Sequence, residues 1–142
     1  MVALLDVNVL VALFDPDHPQ SDRVAAWFQN HAASGWSTCA ITENGFVRIL
    51  AQPSYPHPIS PYQALITLAR ACAHTYHEFW PCDVSITDPM AVKADHILGA
   101  SQLTDIYLLS LAVHHQGSFV TLDRRITTQA IPGAGDSHLI IL

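Results

Sequence analysis

Four acidic side chains stand where carboxylates from distant parts of the chain can work together. Asp6 and Asp123 each follow an apolar run, whereas Glu43 and Asp105 lie near the start of segments with helical periodicity. In a sheet of parallel strands, the carboxyl ends of the strands and the amino ends of the helices that follow them share one edge. We therefore expect the four carboxylates to converge at that edge.

Such a cluster would need a cation, because two carboxylates about 4 Å apart repel by roughly 4 kcal/mol at an effective dielectric near 20. A divalent ion removes the conflict, and ligands that are all oxygen favour Mg²⁺ or Mn²⁺. Taken singly, Glu43 and Asp105 are better explained by a helix dipole, and ordinary turns could likewise explain Asp6 and Asp123. It is their expected proximity that favours a metal site.

The elements that must position these acids follow from the hydrophobic pattern. Short apolar runs predict strands over 1–5, 36–40, 79–82, 118–122 and 138–142. Helical periodicity predicts helices over 7–14, from Pro19 to about residue 32, from Glu43 after a Thr42 cap, from a Ser60–Gln63 capping box onward, and from Asp105 after a Thr104 cap. The hydrophobic pattern weakens over residues 83–102, which predicts a loop with at most one short helix. This alternation predicts one three-layer α/β/α domain over residues 1–142, with a central, mostly parallel sheet.

Composition limits the classes of protein that fit. The chain has 142 residues, of which 50% are hydrophobic and 13% charged, which excludes a disordered chain. No apolar run approaches the ~20 residues of a membrane span, so we expect neither membrane insertion nor secretion. The net charge of −6 argues against a broad basic surface for nucleic acid, but not against a metal-assisted nuclease. The three cysteines predict buried thiols in a reducing cytoplasm, without a disulfide framework.

Four stretches carry a family resemblance when they are taken together in order. Asp6-Val7-Asn8 follows the first strand, Thr42-Glu43-Asn44 opens a helix, and Thr121-Leu122-Asp123-Arg124-Arg125 follows a late strand. The most specific stretch is the block from Leu103 to Ala112, which contains Asp105. The chain resembles PIN-domain ribonucleases over nearly its whole length, and most closely the VapC toxins of bacterial toxin–antitoxin pairs.

The resemblance implies a Mg²⁺- or Mn²⁺-dependent endoribonuclease with a catalytic, metal-binding site made of Asp6, Glu43, Asp105 and Asp123. Asp6 and Asp105 are then the surest ligands, while Glu43 and Asp123 bind a second ion or orient water. The resemblance also implies a cytoplasmic protein, a cognate antitoxin and a homodimer, for which residues 9–14 and the Trp27-Phe28 face offer apolar surface.

Several polar residues beside the acids match the same family positions. Asn8 and Thr121 would hold a ligand carboxylate or water in place, although a local turn hydrogen bond explains them equally well. Arg124 and Arg125 are the best candidates for contact with RNA phosphates. Weaker candidates are Arg48, Arg23 and Lys93. Because basic residues are scarce, we expect a substrate restricted by shape, such as a structured RNA loop.

The nine histidines predict no metal site. His74 and His77 would share one helix face, but neither they nor the adjacent His114 and His115 have a third ligand at a predictable place. Three alternatives stay open: a PIN nuclease of RNA processing or decay without an antitoxin, a receiver-like Mg²⁺-binding signalling domain, and a catalytically silent binding module. A receiver domain should have adjacent acids after the first strand and a late lysine, whereas Asp6 stands alone.

Overall fold

A five-stranded sheet lies at the centre of the structure, a computed structural model that describes residues 1–142. The strands are β1 (Ala3–Leu5), β2 (Trp36–Cys39), β3 (His77–Trp80), β4 (Ser118–Thr121) and β5 (Leu139–Ile141). Their order across the sheet is β3-β2-β1-β4-β5, and every neighbouring pair is parallel. The sheet predicted as mostly parallel is therefore entirely parallel, and β3 begins two residues earlier than expected.

Five α-helices connect the strands. They are α1 (Val7–Phe14), α2 (Ser21–His31), α3 (Ala40–Ala51), α4 (Pro61–Cys72) and α5 (Leu103–His114). The segment over residues 83–102 contains only two single turns of 3₁₀ helix, at Ala94–His96 and Ala100–Gln102. None of the helices combines the length and the apolar character that crossing a membrane requires.

Helices cover both faces of the sheet. Side chains alternate along each strand, so each strand contributes to both layers of the core. On β1, Ala3 and Leu5 belong to a core shared with α1 to α4, whereas Leu4 points into a second core with α5. Phe119 of β4 lies in the second core and Val120 in the first. The predicted three-layer α/β/α architecture is confirmed.

Of the three helix starts predicted from capping residues, two are wrong by a few residues. The Ser60–Gln63 capping box at the start of α4 is present, with the Gln63 N–H 3.1 Å from the Ser60 hydroxyl. Thr42, however, is not a cap: its hydroxyl reaches back to the backbone N–H of Cys39, 3.0 Å away, and α3 already begins at Ala40. Helix α5 likewise begins at Leu103, before the predicted cap at Thr104. Glu43 and Asp105 nevertheless remain in the first turns of their helices.

The apolar surface expected to support a homodimer is not where the sequence placed it. Val9, Leu10, Val11 and Ala12 are buried in the chain's own core, because α1 packs against the sheet, α2 and α3. Trp27 and Phe28 are partly buried against the same core. The exposed apolar side chains include three on α4, namely Tyr62, Leu65 and Ile66.

The strand order also decides one alternative. Receiver domains have the order 2-1-3-4-5, with the third strand beside the first. Here β4 lies beside β1, and β3 is an edge strand next to β2. The receiver-like interpretation is therefore wrong.

The three cysteines differ in exposure, contrary to the expectation that all are buried. Cys39 is buried at the end of β2, Cys72 is half-buried at the end of α4, and Cys82 is exposed. All three are free thiols.

Candidate active site

The direction of strand order reverses between β1 and β4, which leaves a crevice at the carboxyl edge of the sheet. Asp6 directly follows β1 and Asp123 follows β4 after one residue. Asp105 lies in the first turn of α5, the helix that precedes β4. The topology thus brings three aspartates from distant parts of the chain to one place.

Asp6 is the most enclosed of the three, with 6% of its surface exposed. It caps α1: one carboxylate oxygen accepts the backbone N–H of Val7 at 2.7 Å, and the other accepts the Thr121 hydroxyl at 2.7 Å. Burial raises the pKa of Asp6, and the nearby charge of Asp123 raises it further, while the hydrogen bonds lower it. The carboxylate is fixed in orientation, but its negative charge is not balanced by a cation in contact with it.

Thr121, at the end of β4, joins several parts of the site through one hydroxyl. The hydroxyl donates to Asp6 and accepts the Asp123 backbone N–H at 3.1 Å and the Asn8 side-chain amide at 3.4 Å. The Asn8 carbonyl oxygen in turn accepts the Leu122 backbone N–H at 3.2 Å. The contacts of Asn8 and Thr121 therefore join the start of α1 to the end of β4, instead of closing only a local turn.

No protein group donates a hydrogen bond to the carboxylate of Asp105. Burial raises its pKa to about 6, the charges of Asp6 and Asp123 act in the same direction, and Arg125 opposes them. A first-turn acid that only complemented a helix dipole would have its pKa lowered. The negative charges near Asp105 therefore outweigh the positive charge of Arg125.

Asp123 differs from the other two because Arg125 holds it. The Arg125 guanidinium donates to both carboxylate oxygens, at 3.0 and 2.7 Å, and the Arg125 backbone N–H donates at 2.9 Å. These hydrogen bonds lower the pKa of Asp123. Arg125, expected to be free for RNA, is therefore paired within the chain, whereas Arg124 is exposed and takes part in no ion pair.

The contacts of the Glu43 side chain differ from those of the three aspartates, and its place in the expected set of four acids stays a prediction. Its carboxylate accepts the Thr38 hydroxyl at 2.7 Å and lies beside Cys72 and His77. The charge of Glu43 acts to raise the pKa values of Cys72 and His77. The acids that raise the pKa of Asp105 are Asp6 and Asp123. Glu43 contacts residues of β2 and β3, whereas the aspartates lie near β1 and β4 on the other side of the sheet order.

No local pattern in the sequence connects Glu43 with Thr38, Cys72 and His77. His77 was expected on a helix face with His74, but it is the first residue of β3 and pairs in register with Trp36. Only the parallel register of β2 and β3 brings His77 beside Thr38, and that register depends on the true start of β3. A strand predicted from residue 79 could not reveal this contact.

A cavity of about 250 Å³ opens beside the aspartates. Asp105, Asp123 and Arg125 line one part of it, and the rest is lined by residues of the 96–106 and 126–130 segments, including His96 and Gln102. The cavity therefore places polar side chains within reach of any ligand held at the acids.

The donor set fits a hard divalent ion better than any other group. Three carboxylates share one arginine, which is paired with Asp123, and burial together with the charges of Asp6 and Asp123 raises the pKa of Asp105 to about 6. Mg²⁺ keeps several of its waters and takes only one or two protein carboxylates directly, so it does not require all three aspartates as ligands.

Comparison with known proteins agrees with this geometry. Residues 3–131 match the PIN domain family. The chain is 51% identical over 142 residues to Ribonuclease VapC44 of Mycobacterium tuberculosis, covering 100% of both chains. It is 37% identical over 134 residues to Ribonuclease VapC39 of the same species, covering 94% of this chain and 96% of that one.

A solved structure shows the same fold. VapBC2 from Rickettsia felis, bound to a DNA fragment from their promoter, superimposes with a TM-score of 0.66, covering 100% of this chain and 98% of that chain. At 15% identity this likeness concerns the fold alone. With the family match over residues 3–131 and the full-length relatives, it follows that the chain belongs to the PIN-domain family, in its VapC ribonuclease branch.

Proposed function

We propose that the protein is a divalent-metal-dependent endoribonuclease and the toxin of a toxin–antitoxin pair, with residues 1–142 acting as one domain. The observation that carries the proposal is the meeting of Asp6, Asp105 and Asp123 at the sheet's switch point, with too little positive charge around them. Without a cation, the mutual repulsion of these carboxylates costs stability.

Asp6 and Asp105 would hold the ion, which we take to be Mg²⁺ or Mn²⁺, and Asp123 would join them when it leaves Arg125. Glu43, one of whose carboxylate oxygens accepts the Thr38 hydroxyl, would bind a second ion or orient water. When bound, such an ion polarises a phosphoryl oxygen and lowers the pKa of water. Displacement at phosphorus with the 3′ oxygen leaving would give products with 5′-phosphate and 3′-hydroxyl ends.

The chain's own residues prepare this chemistry. Thr121 and the backbone N–H of Val7 fix both oxygens of Asp6, so that its remaining lone pairs keep one direction. Asn8 holds the segment after β4 against the start of α1. Asp105 must lose its proton to act as a ligand, and its pKa of about 6 allows this near neutral pH.

The substrate is a structured RNA in this proposal. The net charge of −6 gives no broad attraction to nucleic acid, so binding depends on a few placed contacts. Arg124 is exposed next to Asp123 and would contact a phosphate. Arg125 would contact a phosphate only after it releases Asp123, which is a step that an ion at the aspartates favours.

An antitoxin would restrain the activity. The VapBC2 structure supports this through its fold, and a basic antitoxin segment could place Arg or Lys among the three aspartates. A small reading frame directly upstream of the gene would favour the toxin over a nuclease without a partner. An Arg→Ala change in the antitoxin tail that left inhibition intact would count against the inserted-arginine arrangement.

We also propose a cytoplasmic homodimer. Cytoplasmic location follows from the proposed RNA substrate and antitoxin. For the dimer, Tyr62 on α4 is 73% exposed and Leu65 is 55% exposed, which leaves apolar surface for a second copy. Light scattering of the purified protein should give twice the chain mass of 15.5 kDa, and Leu65→Lys should shift it toward the monomer.

The experiment is an incubation of purified protein with total RNA, with Mn²⁺ or with EDTA. We expect cleavage only with the metal ion, loss of cleavage in Asp6→Ala, and retention in Asp22→Ala, which removes an exposed acid on α2. Cleavage that persists in EDTA or in Asp6→Ala would refute the proposed function.

A further inference from the structure

Two adjacent histidines at the carboxyl end of α5 meet an aspartate from the segment after β3. Local spacing predicts no third ligand for His114 and His115, but the fold supplies Asp83, which lies 32 positions before His115. One ligand atom of each residue lies within 4.8 Å of the other two. None of the three residues lines the cavity beside the catalytic aspartates.

The distances between these ligand atoms are close to those of a metal site. One carboxylate oxygen of Asp83 lies 2.9 Å from Nε2 of His115, and the other lies 3.5 Å from Nε2 of His114. Around a tetrahedral Zn²⁺ with bonds of about 2.0–2.1 Å, neighbouring ligand atoms lie roughly 3.4 Å apart. Small side-chain rotations would therefore bring all three residues into bonding distance of one ion.

The histidine rings are available as ligands. Asp83 is the only hydrogen-bond partner of either ring and contacts Nε2 alone, so Nδ1 can carry the proton while Nε2 binds a metal ion. The ring of His115 is stacked on the buried Trp80, with centroids 4.7 Å apart, which fixes its plane. The side chain of His114 is 53% exposed and that of Asp83 is 44% exposed, so an ion can enter directly from solvent.

The chemistry of the ligands selects the ion. Two imidazole nitrogens and one carboxylate oxygen suit Zn²⁺ and disfavour Mg²⁺, for which the aspartates at the switch point are the better ligands. Three protein ligands leave one tetrahedral position for water. A cavity of about 200 Å³, lined by Asp83 and His114 together with the polar Ser85 and Asp88, gives this water room.

We propose that Asp83, His114 and His115 form a binding site for one Zn²⁺ ion, with water as the fourth ligand. The ion would tie the segment after β3 to the carboxyl end of α5. Asp105 lies in the first turn of the same helix, at its opposite end, so the two sites are separate. The proposal does not depend on ribonuclease activity, because it uses none of the acids assigned to it.

The test is a titration of the reduced, metal-free, full-length protein with Zn²⁺, carried out in excess Mg²⁺, which competes for the aspartates. Long-range ¹H–¹⁵N NMR of the histidine rings follows each Nε2 atom separately, and His114→Gln and His115→Gln assign the two signals. We expect both Nε2 resonances to shift together along one saturation curve. A resonance that stays unshifted at saturating Zn²⁺, or different saturation points for the two rings, would overturn the proposal.

Asp83→Asn tests the third ligand, because the amide keeps the size of the side chain but removes its charge. We expect Zn²⁺ binding at the two rings to weaken at least about tenfold. The matched control is Asp95→Asn, which removes the acid of another exposed histidine–aspartate pair, with His96 at 3.1 Å. This control should bind Zn²⁺ at the two rings as the unmodified protein does.

Unchanged Zn²⁺ affinity in Asp83→Asn, or equal weakening in Asp95→Asn, would show that Asp83 forms only an ion pair with the histidines and would overturn the proposal. The spectra of the unmodified protein decide the matter on their own if Asp83→Asn fails to fold.

Discussion

At the scale of single residues, the hydroxyl of Thr121 connects the carboxylate of Asp6 to the backbone after β4. Thr121→Val keeps the shape but leaves one Asp6 oxygen and the Asp123 N–H without this partner. We expect a loss of about 1–3 kcal/mol in the free energy of unfolding. Urea unfolding measures it, with Thr121→Ser as the control that keeps the hydroxyl. A Thr121→Val variant as stable as the unmodified chain would show that the hydroxyl does not support Asp6.

Asp105 makes a pH-dependent contribution to stability in the metal-free protein. Its pKa is about 6 in the folded chain, against an ordinary value of 3.8. A raised pKa means that the contribution is full below the unfolded value and is lost as pH rises through about 6. Asp105→Asn removes the charge, so in EDTA it should be more stable than the unmodified protein at about pH 8, by on the order of 1 kcal/mol after solvent screening.

Thermal unfolding of both proteins at about pH 4 and about pH 8 checks the sign of this difference. We expect the advantage of Asp105→Asn to be small or absent at the lower pH. An equal advantage at both pH values would mean that charge at Asp105 is not its cause.

At the scale of elements, Gly45 sets how closely α3 approaches α1. A Cβ at this position would lie 2.6 Å from a methyl carbon of Val7, the residue that follows Asp6. Overpacking costs about 1–3 kcal/mol, and the better helix propensity of alanine offsets up to about 1 kcal/mol of it. Gly45→Ala should therefore lower the free energy of unfolding by about 1–2 kcal/mol.

Gly99→Ala is the matched control, because a Cβ at Gly99 would meet nothing within 4 Å. Urea unfolding of the two variants compares them directly. Equal stability of Gly45→Ala and the unmodified chain would show that α1 and α3 can move apart without cost.

Some boundaries of helices and strands could be predicted from the sequence, and others could not. The Ser60–Gln63 box could be predicted, because both partners lie in one local segment. The start of α3 could not, since the Thr42 hydroxyl bonds back to Cys39 from inside the helix. The start of β3 at His77 depends on pairing with β2, and this pairing is a long-range contact. Errors at element ends therefore follow from contacts that no local pattern contains.

At the scale of the whole molecule, strand order decides which acids meet. Asp6 and Asp123 could be expected at one sheet edge from sequence, because each follows an apolar strand of a parallel sheet. The pairing of β1 with β4 in the structure then brings them together. Glu43 follows β2, on the other side of β1, and its carboxylate turns toward His77 of β3. The shared sheet edge was predictable, but the direction of each side chain along that edge was not.

The proposed activity requires that Asp6, Asp105 and Asp123 share a divalent ion. Electron paramagnetic resonance counts free and bound Mn²⁺ during a titration near neutral pH, and it needs no RNA. We expect Asp105→Asn to weaken Mn²⁺ binding at least about tenfold, and Asp22→Ala to leave it unchanged. Unaltered Mn²⁺ binding in Asp105→Asn would contradict the claim.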